Sequence, residues 1–231
     1  MATLVPIGLT VSLLAAISVT SVTLARSERV EENVSGEARD SLAESMVRAV
    51  LNDDARSVAR LLRAGASPNA SVGPQFDDKA LCLAMDRERK PILDLLIDAG
   101  ADLDDMDPHG GAGANDPLTC AVFFYNVEAF ERLLALGANP DQDLCPWCPE
   151  PRENSLLEET LTSLRFDLAW RVMQLTSVSE AELKTIVVAL EQFAIPDDDP
   201  GVGPREKIIE WVRERGIDVE PIALFELERR R

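Results

Sequence analysis

Histidine is almost missing from this chain. Of 231 residues only His109 carries an imidazole, so any Ser-His-Asp or Cys-His mechanism would have to run through that one side chain. No nucleophile stands in a pattern that would use it, and no enzyme is expected. Cations are scarce as well: 23 Lys and Arg face 41 Asp and Glu, a formal charge of −18. Such a surface repels phosphate backbones and anionic headgroups, which argues against a nucleic-acid partner; the acidity suits a protein partner with a basic patch, or plain solubility. Aromatic residues make up only 5% of the chain. Charge of either sign is absent before Arg26, and Val5 to Ala25 is an apolar run about as long as a bilayer-spanning helix. Arg26 and Arg29 follow the run while no Lys or Arg precedes it, which favours a single-pass anchor with its carboxyl side in the cytoplasm. Thr23-Leu24-Ala25 offers small residues to a signal peptidase, so cleavage near Ala25 and a periplasmic or secreted domain is the alternative.

A phrase present three times organises the rest of the chain: Leu61-Leu62-Arg63-Ala64-Gly65-Ala66, Leu96-Ile97-Asp98-Ala99-Gly100-Ala101 and Leu133-Leu134-Ala135-Leu136-Gly137-Ala138. An aliphatic helix end followed by glycine is a helix stop in which glycine takes the left-handed conformation. Recurrence at intervals of 35 and 37 residues implies stacked, near-identical units. Each unit reads as helix, turn, helix. Leu42, Met46, Val47, Val50 and Leu51 have helical spacing, Asn52-Asp53-Asp54 interrupts them, and Val58, Leu61 and Leu62 resume. The second unit has Ala80, Leu81, Leu83 and Ala84, then Ile92, Leu93, Leu96 and Ile97. The third has Leu118, Ala121 and Val122, then Val127, Phe130, Leu133 and Leu134. A fourth begins at Asn154-Ser155-Leu156-Leu157, with a second helix near Asp167 to Leu175 and no terminal glycine. A fifth runs from Ala181 to Ala194 and closes on Ile208 to Gly216. The breaker-rich segment Ile195 to Pro204 is expected to be a surface loop that no helix crosses.

Asp116-Pro117-Leu118-Thr119-Cys120-Ala121 is close to the Thr-Pro-Leu-His-x-Ala of ankyrin repeats, and Lys79-Ala80-Leu81-Cys82-Leu83-Ala84 is a looser copy. With the three glycine-terminated phrases, and Asn69, Asp104 and Asp141 shortly after each glycine, the chain resembles the ankyrin-repeat family over about Leu42 to Pro221. The resemblance implies an all-α solenoid of about five repeats, preceded here by a hydrophobic amino-terminal helix, that binds a protein partner through its concave side. The expected division is an anchor or signal segment at 1–25, a linker at 26–41, the repeat domain at 42–221 and a tail at 222–231. Residues Gln75 to Lys79, Asp104 to Asn115 and Asp143 to Arg152 would be the finger turns, and Asp77, Asp78, Asp104, Asp105, Asp107, His109 and Trp147 the partner-contacting candidates. An immunity-type binder that neutralises a toxin would use the same chemistry.

Cys145-Pro146-Trp147-Cys148 has the spacing of a redox pair or half a zinc knuckle. It follows the loop Asp141 to Leu144 rather than a strand, so a thioredoxin-like setting is missing, and a thiol redox or zinc protein built on Cys145 and Cys148 is the alternative from another class. Zinc needs four ligands, and the remaining supply is His109, Cys82 and Cys120. In an exported domain a local disulfide from Cys145 to Cys148 would stiffen the loop, whereas cytoplasmic thiols would stay reduced. Asp105, Asp107, His109, Gly110 and Asp116 sketch a calcium loop, but histidine occupies a ligand position and the closing residue is the shorter Asp. No cofactor is expected.

Overall fold

The computed structural model describes residues 40–73, 79–105, 116–142, 144 and 155–222. Ten α-helices occupy them: α1 (40–51), α2 (Ala55–Arg63), α3 (Ala80–Leu83), α4 (Lys90–Asp98), α5 (Pro117–Phe123), α6 (Val127–Leu136), α7 (Leu156–Thr162), α8 (Phe166–Met173), α9 (Glu180–Gln192) and α10 (Val202–Arg213). They form five consecutive pairs. Among the described residues the only β pairing is an isolated bridge between Ser71 and Lys79, and no helix is long and apolar enough to cross a membrane. Val5 to Ala25 lies outside the described residues.

Local chemistry sets the helix ends. Asp54, Asn126, Ser155 and Ser179 each accept a backbone N–H of the first turn they precede, and Ser155–Glu158 and Ser179–Glu182 complete reciprocal capping boxes. Gly65, Gly100, Gly137 and Gly216 have φ of 90°, 82°, 102° and 76°. A Cβ at any of the four would meet nothing within 4 Å, so glycine is needed there for its backbone and not for space. Gly216 shows that the fifth pair ends by the same stop as the first three.

Layering follows from the pairs. Helices α3, α5, α7 and α9 stack on one another in sequence, while α2 packs on α4 and α8 on α10 in a second layer. Between the layers runs one continuous core, from Met46 and Val50 through Leu96, Phe130 and Phe166 to Ile208 and Val212. Burial of a side chain such as Phe130 or Phe166 is worth about 1.5–3 kcal/mol, and each unit obtains it only from its neighbours.

The helix ahead of the first turn starts at residue 40. One expectation needs correction. The segment Ile195 to Pro204 is not loop throughout: α10 begins at Val202 and contains Gly203 and Pro204. Pro204 falls in the first turn, where its missing N–H removes no helical bond. Ile195 is buried, and a Cβ on Gly201 would lie 3.3 Å from the Phe166 Cβ, so this connection packs against α8. Arg205 secures it by donating to the carbonyl oxygens of Leu190 (2.8 Å), Phe193 (3.1 Å) and Ile222 (3.4 Å). Its pKa is lowered by burial.

Candidate interaction surface

After Gly65 and Gly100 the chain passes through a loop with a polar side chain that bonds to the backbone of the next loop. The Asn69 side-chain oxygen accepts the Asp102 N–H at 2.8 Å, and the Asp104 carboxylate accepts the Asn139 N–H at 2.7 Å. Within single loops, Ser67, Asp102 and Asn139 each accept the N–H two residues on, at 3.1 Å in all three. The pattern repeats at the second and fourth positions after the glycine and forms a ladder across three units. Gln142 adds a bond from its side-chain amide to the Asp104 carbonyl, 3.0 Å. Asp104, expected to contact a partner, is therefore first a strut of the ladder.

Asp105 is engaged in a similar way. Its carboxylate lies 3.4 Å from the Lys79 ammonium, which also donates to the Asp105 carbonyl oxygen at 3.2 Å. Lys79 is 5% exposed and precedes α3, a single turn with no side-chain cap. Cys82 of α3 and Cys120 of α5 form a disulfide, Cα to Cα 5.2 Å across 38 residues. Both are 1% exposed. This removes Cys82 and Cys120 from the supply of zinc ligands. The calcium reading fails in part for a related reason: Asp105 is paired, and Asp116 is the buried cap of α5, accepting from the Leu118 and Thr119 N–H groups and the Thr119 hydroxyl. Burial raises the Asp116 pKa against the lowering effect of those bonds. Among the described residues no cluster of three His, Cys, Asp or Glu side chains is placed to hold a metal.

On the second helices the charges cancel in pairs. Lys90 of α4 meets Glu128 of α6, Arg132 of α6 meets Asp94 of α4, and Arg171 of α8 meets Glu131 of α6 at 2.8 Å. Between α4 and α6 lies an open cavity of about 350 Å³ rimmed by Arg87, Lys90 and Arg132. Beside it Tyr125, at φ 47° in the turn from α5 to α6, has the guanidinium groups of Arg87 and Arg165 over its ring, 5.3 and 3.9 Å from the centroid. The Tyr125 hydroxyl donates to Asp167 at 3.0 Å. Its pKa is pushed up to about 12, by burial first and then by the Asp167 charge.

Of the residues expected to meet a partner, Asp104 and Asp105 fall within the described residues, while Asp77, Asp78, Asp107, His109 and Trp147 lie outside them, as do Cys145 and Cys148. The sequence reading missed the Lys79–Asp105 pair, the disulfide and the contacts of Arg87 and Arg165 with the Tyr125 ring. Only the disulfide left a trace, a cysteine separation within a residue of one repeat interval.

No family model and no curated protein matches the chain. Solved structures do. The crystal structure of the human ASB11 ankyrin repeat domain superposes with a TM-score of 0.50 and 19% identity, over 75% of this chain and 69% of that one. The fold is ankyrin-like. At that identity the likeness speaks for architecture alone, and it agrees with the paired helices, the glycine stops and the loop ladder. In this ankyrin-like frame the acidic loops between units are tied in register by their own side chains.

Proposed function

We propose that this ankyrin-like chain is a non-catalytic scaffold that binds a protein carrying a basic patch through its acidic finger loops. Val5 to Ala25 holds it at a membrane or takes it across. The loop ladder supports the binding role most directly. Bonds from Asn69 to Asp102 and from Asp104 to Asn139 order the bases of successive loops before any partner arrives, which reduces the ordering cost of association. The excess of 41 acids over 23 bases sets the sign of the partner and favours fast encounter with a cationic surface.

The ladder also dictates how to test this. Asp104 and Asp105 have structural duties, so the informative variant leaves them in place and changes Asp77→Lys, Asp78→Lys and Asp107→Lys. Membrane extracts passed over the immobilised full chain should yield a discrete protein that the triple variant does not retain and that elutes earlier as salt rises. The reading fails if wild type and variant, with matching circular-dichroism melts, retain the same proteins.

A further inference from the structure

We propose that the repeats reside on the oxidising side of the membrane, and that the Cys82–Cys120 bond is made there by a dithiol–disulfide oxidoreductase as α3 closes on α5. The proposal rests on reading Val5 to Ala25 as a membrane segment and goes beyond it by assigning a side. Cysteines buried together in a reducing compartment stay thiols, and lasting structural disulfides belong to exported domains. Here the two sulfur atoms are joined in the core, in a chain whose first 25 residues are uncharged and largely apolar. Arg26 and Arg29 would favour the opposite orientation, but that bias is two charges in size.

Helix α3 shows why the bond is needed. It is one turn of four residues, all buried, below the length at which a helix is stable alone and without a side-chain cap. Its other ties include the Lys79–Asp105 pair, the Ala80 N–H to the Ala70 carbonyl at 2.9 Å, and Arg89 donating to the Leu83 carbonyl at 2.9 Å. Residual space beside Cys82, between Lys79, Asp105 and Pro117, is about 10 Å³, too little to admit a reagent.

With both cysteines 1% exposed, exchange must precede closure. The Cys82 thiolate attacks one sulfur of the oxidoreductase disulfide, forming a mixed disulfide and releasing the first enzyme thiolate. The Cys120 thiolate then attacks the Cys82 sulfur, forming the Cys82–Cys120 bond and releasing the second. Two electrons pass to the enzyme, and the two protons lost by the cysteines end on its dithiol.

The test uses the full chain carrying Cys145→Ser and Cys148→Ser, so that Cys82 and Cys120 are its only cysteines. It is expressed in bacteria with an oxidising periplasm, quenched in acid, denatured and tagged with a polyethylene-glycol maleimide that slows migration once per thiol. The expected result is no tag in the parent host and two tags in a host lacking its periplasmic dithiol oxidase. Protease added outside spheroplasts should digest the repeats. Two tags in the parent host, or repeats protected from external protease, would overturn the proposal. Fractionation separates the two readings: two thiols on a membrane-bound chain refute the assigned side alone, whereas two thiols on a chain in the cytosolic fraction refute the membrane reading as well.

Discussion

Helices α3 and α5 occupy equivalent places in adjacent units, yet they are held by different means. Helix α5 has seven residues, a buried Asp116 accepting two backbone N–H groups, and Pro117 in its first turn. Helix α3 has four residues, Lys79 in the capping position and no side-chain cap bond. Ties from outside the helix compensate: the disulfide to α5, the Lys79–Asp105 pair and, from within the same unit, the Arg89 bond to its last carbonyl. A repeat can thus be stabilised from within by capping chemistry or from its neighbours by cross-links, and this chain uses both side by side.

The largest effect on that comparison should come from removing the cross-link. Cys82→Ala with Cys120→Ala should cost about 2–4 kcal/mol in urea unfolding, as expected for a loop of this length. Hydrogen exchange should accelerate in α3 well before α5. Lys79→Met comes next. It leaves the Asp105 carboxylate without its ammonium partner and should cost about 1–2 kcal/mol, because a charge 36% exposed recovers part of its hydration.

Asp116→Ala should remove about 1 kcal/mol by uncapping α5. Asp116→Asn should cost less, since its amide oxygen can still accept while no charge is buried. The sign of the pH dependence comes from the direction of the shift. The folded pKa of Asp116 is raised, so its contribution is full below the ordinary aspartate range and declines as pH rises through the folded value. The Asn variant should lack that decline in thermal melts.

The smallest effect separates the third unit from the second at their helix turns. Tyr125 is the only tyrosine, so ultraviolet absorbance titration reports it alone. Native protein should form phenolate near pH 12 and denatured protein near pH 10, and stability from this group should be present below pH 10 and lost as pH rises toward 12. In Asp167→Asn the native transition should move down, because the carboxylate that opposes ionisation is gone.

Much of the architecture was legible in the sequence because it rests on properties of single residues and short spacings. Leu-Leu pairs ahead of Gly65 and Gly137, and Leu-Ile ahead of Gly100, announce helix ends, and the structure puts each glycine at positive φ. Harder to read was the start of α10, since Pro204 is compatible with a first turn but equally with the loop expected there. Asp104 illustrates the limit at the candidate surface. Its position four residues after a glycine is visible, but whether its carboxylate faces a partner or the Asn139 N–H depends on a loop 35 residues away.

The unit, its period and its stops are written in the chain locally, because helix periodicity and the left-handed preference of glycine act over a few residues. Packing of unit on unit brings Cys82 to Cys120, Lys79 to Asp105, and Arg87 and Arg165 to the Tyr125 ring. Those pairings depend on how one helix pair is placed on the next to within an ångström or so. That placement is set by the packing of the whole shared core, which no short stretch of sequence encodes.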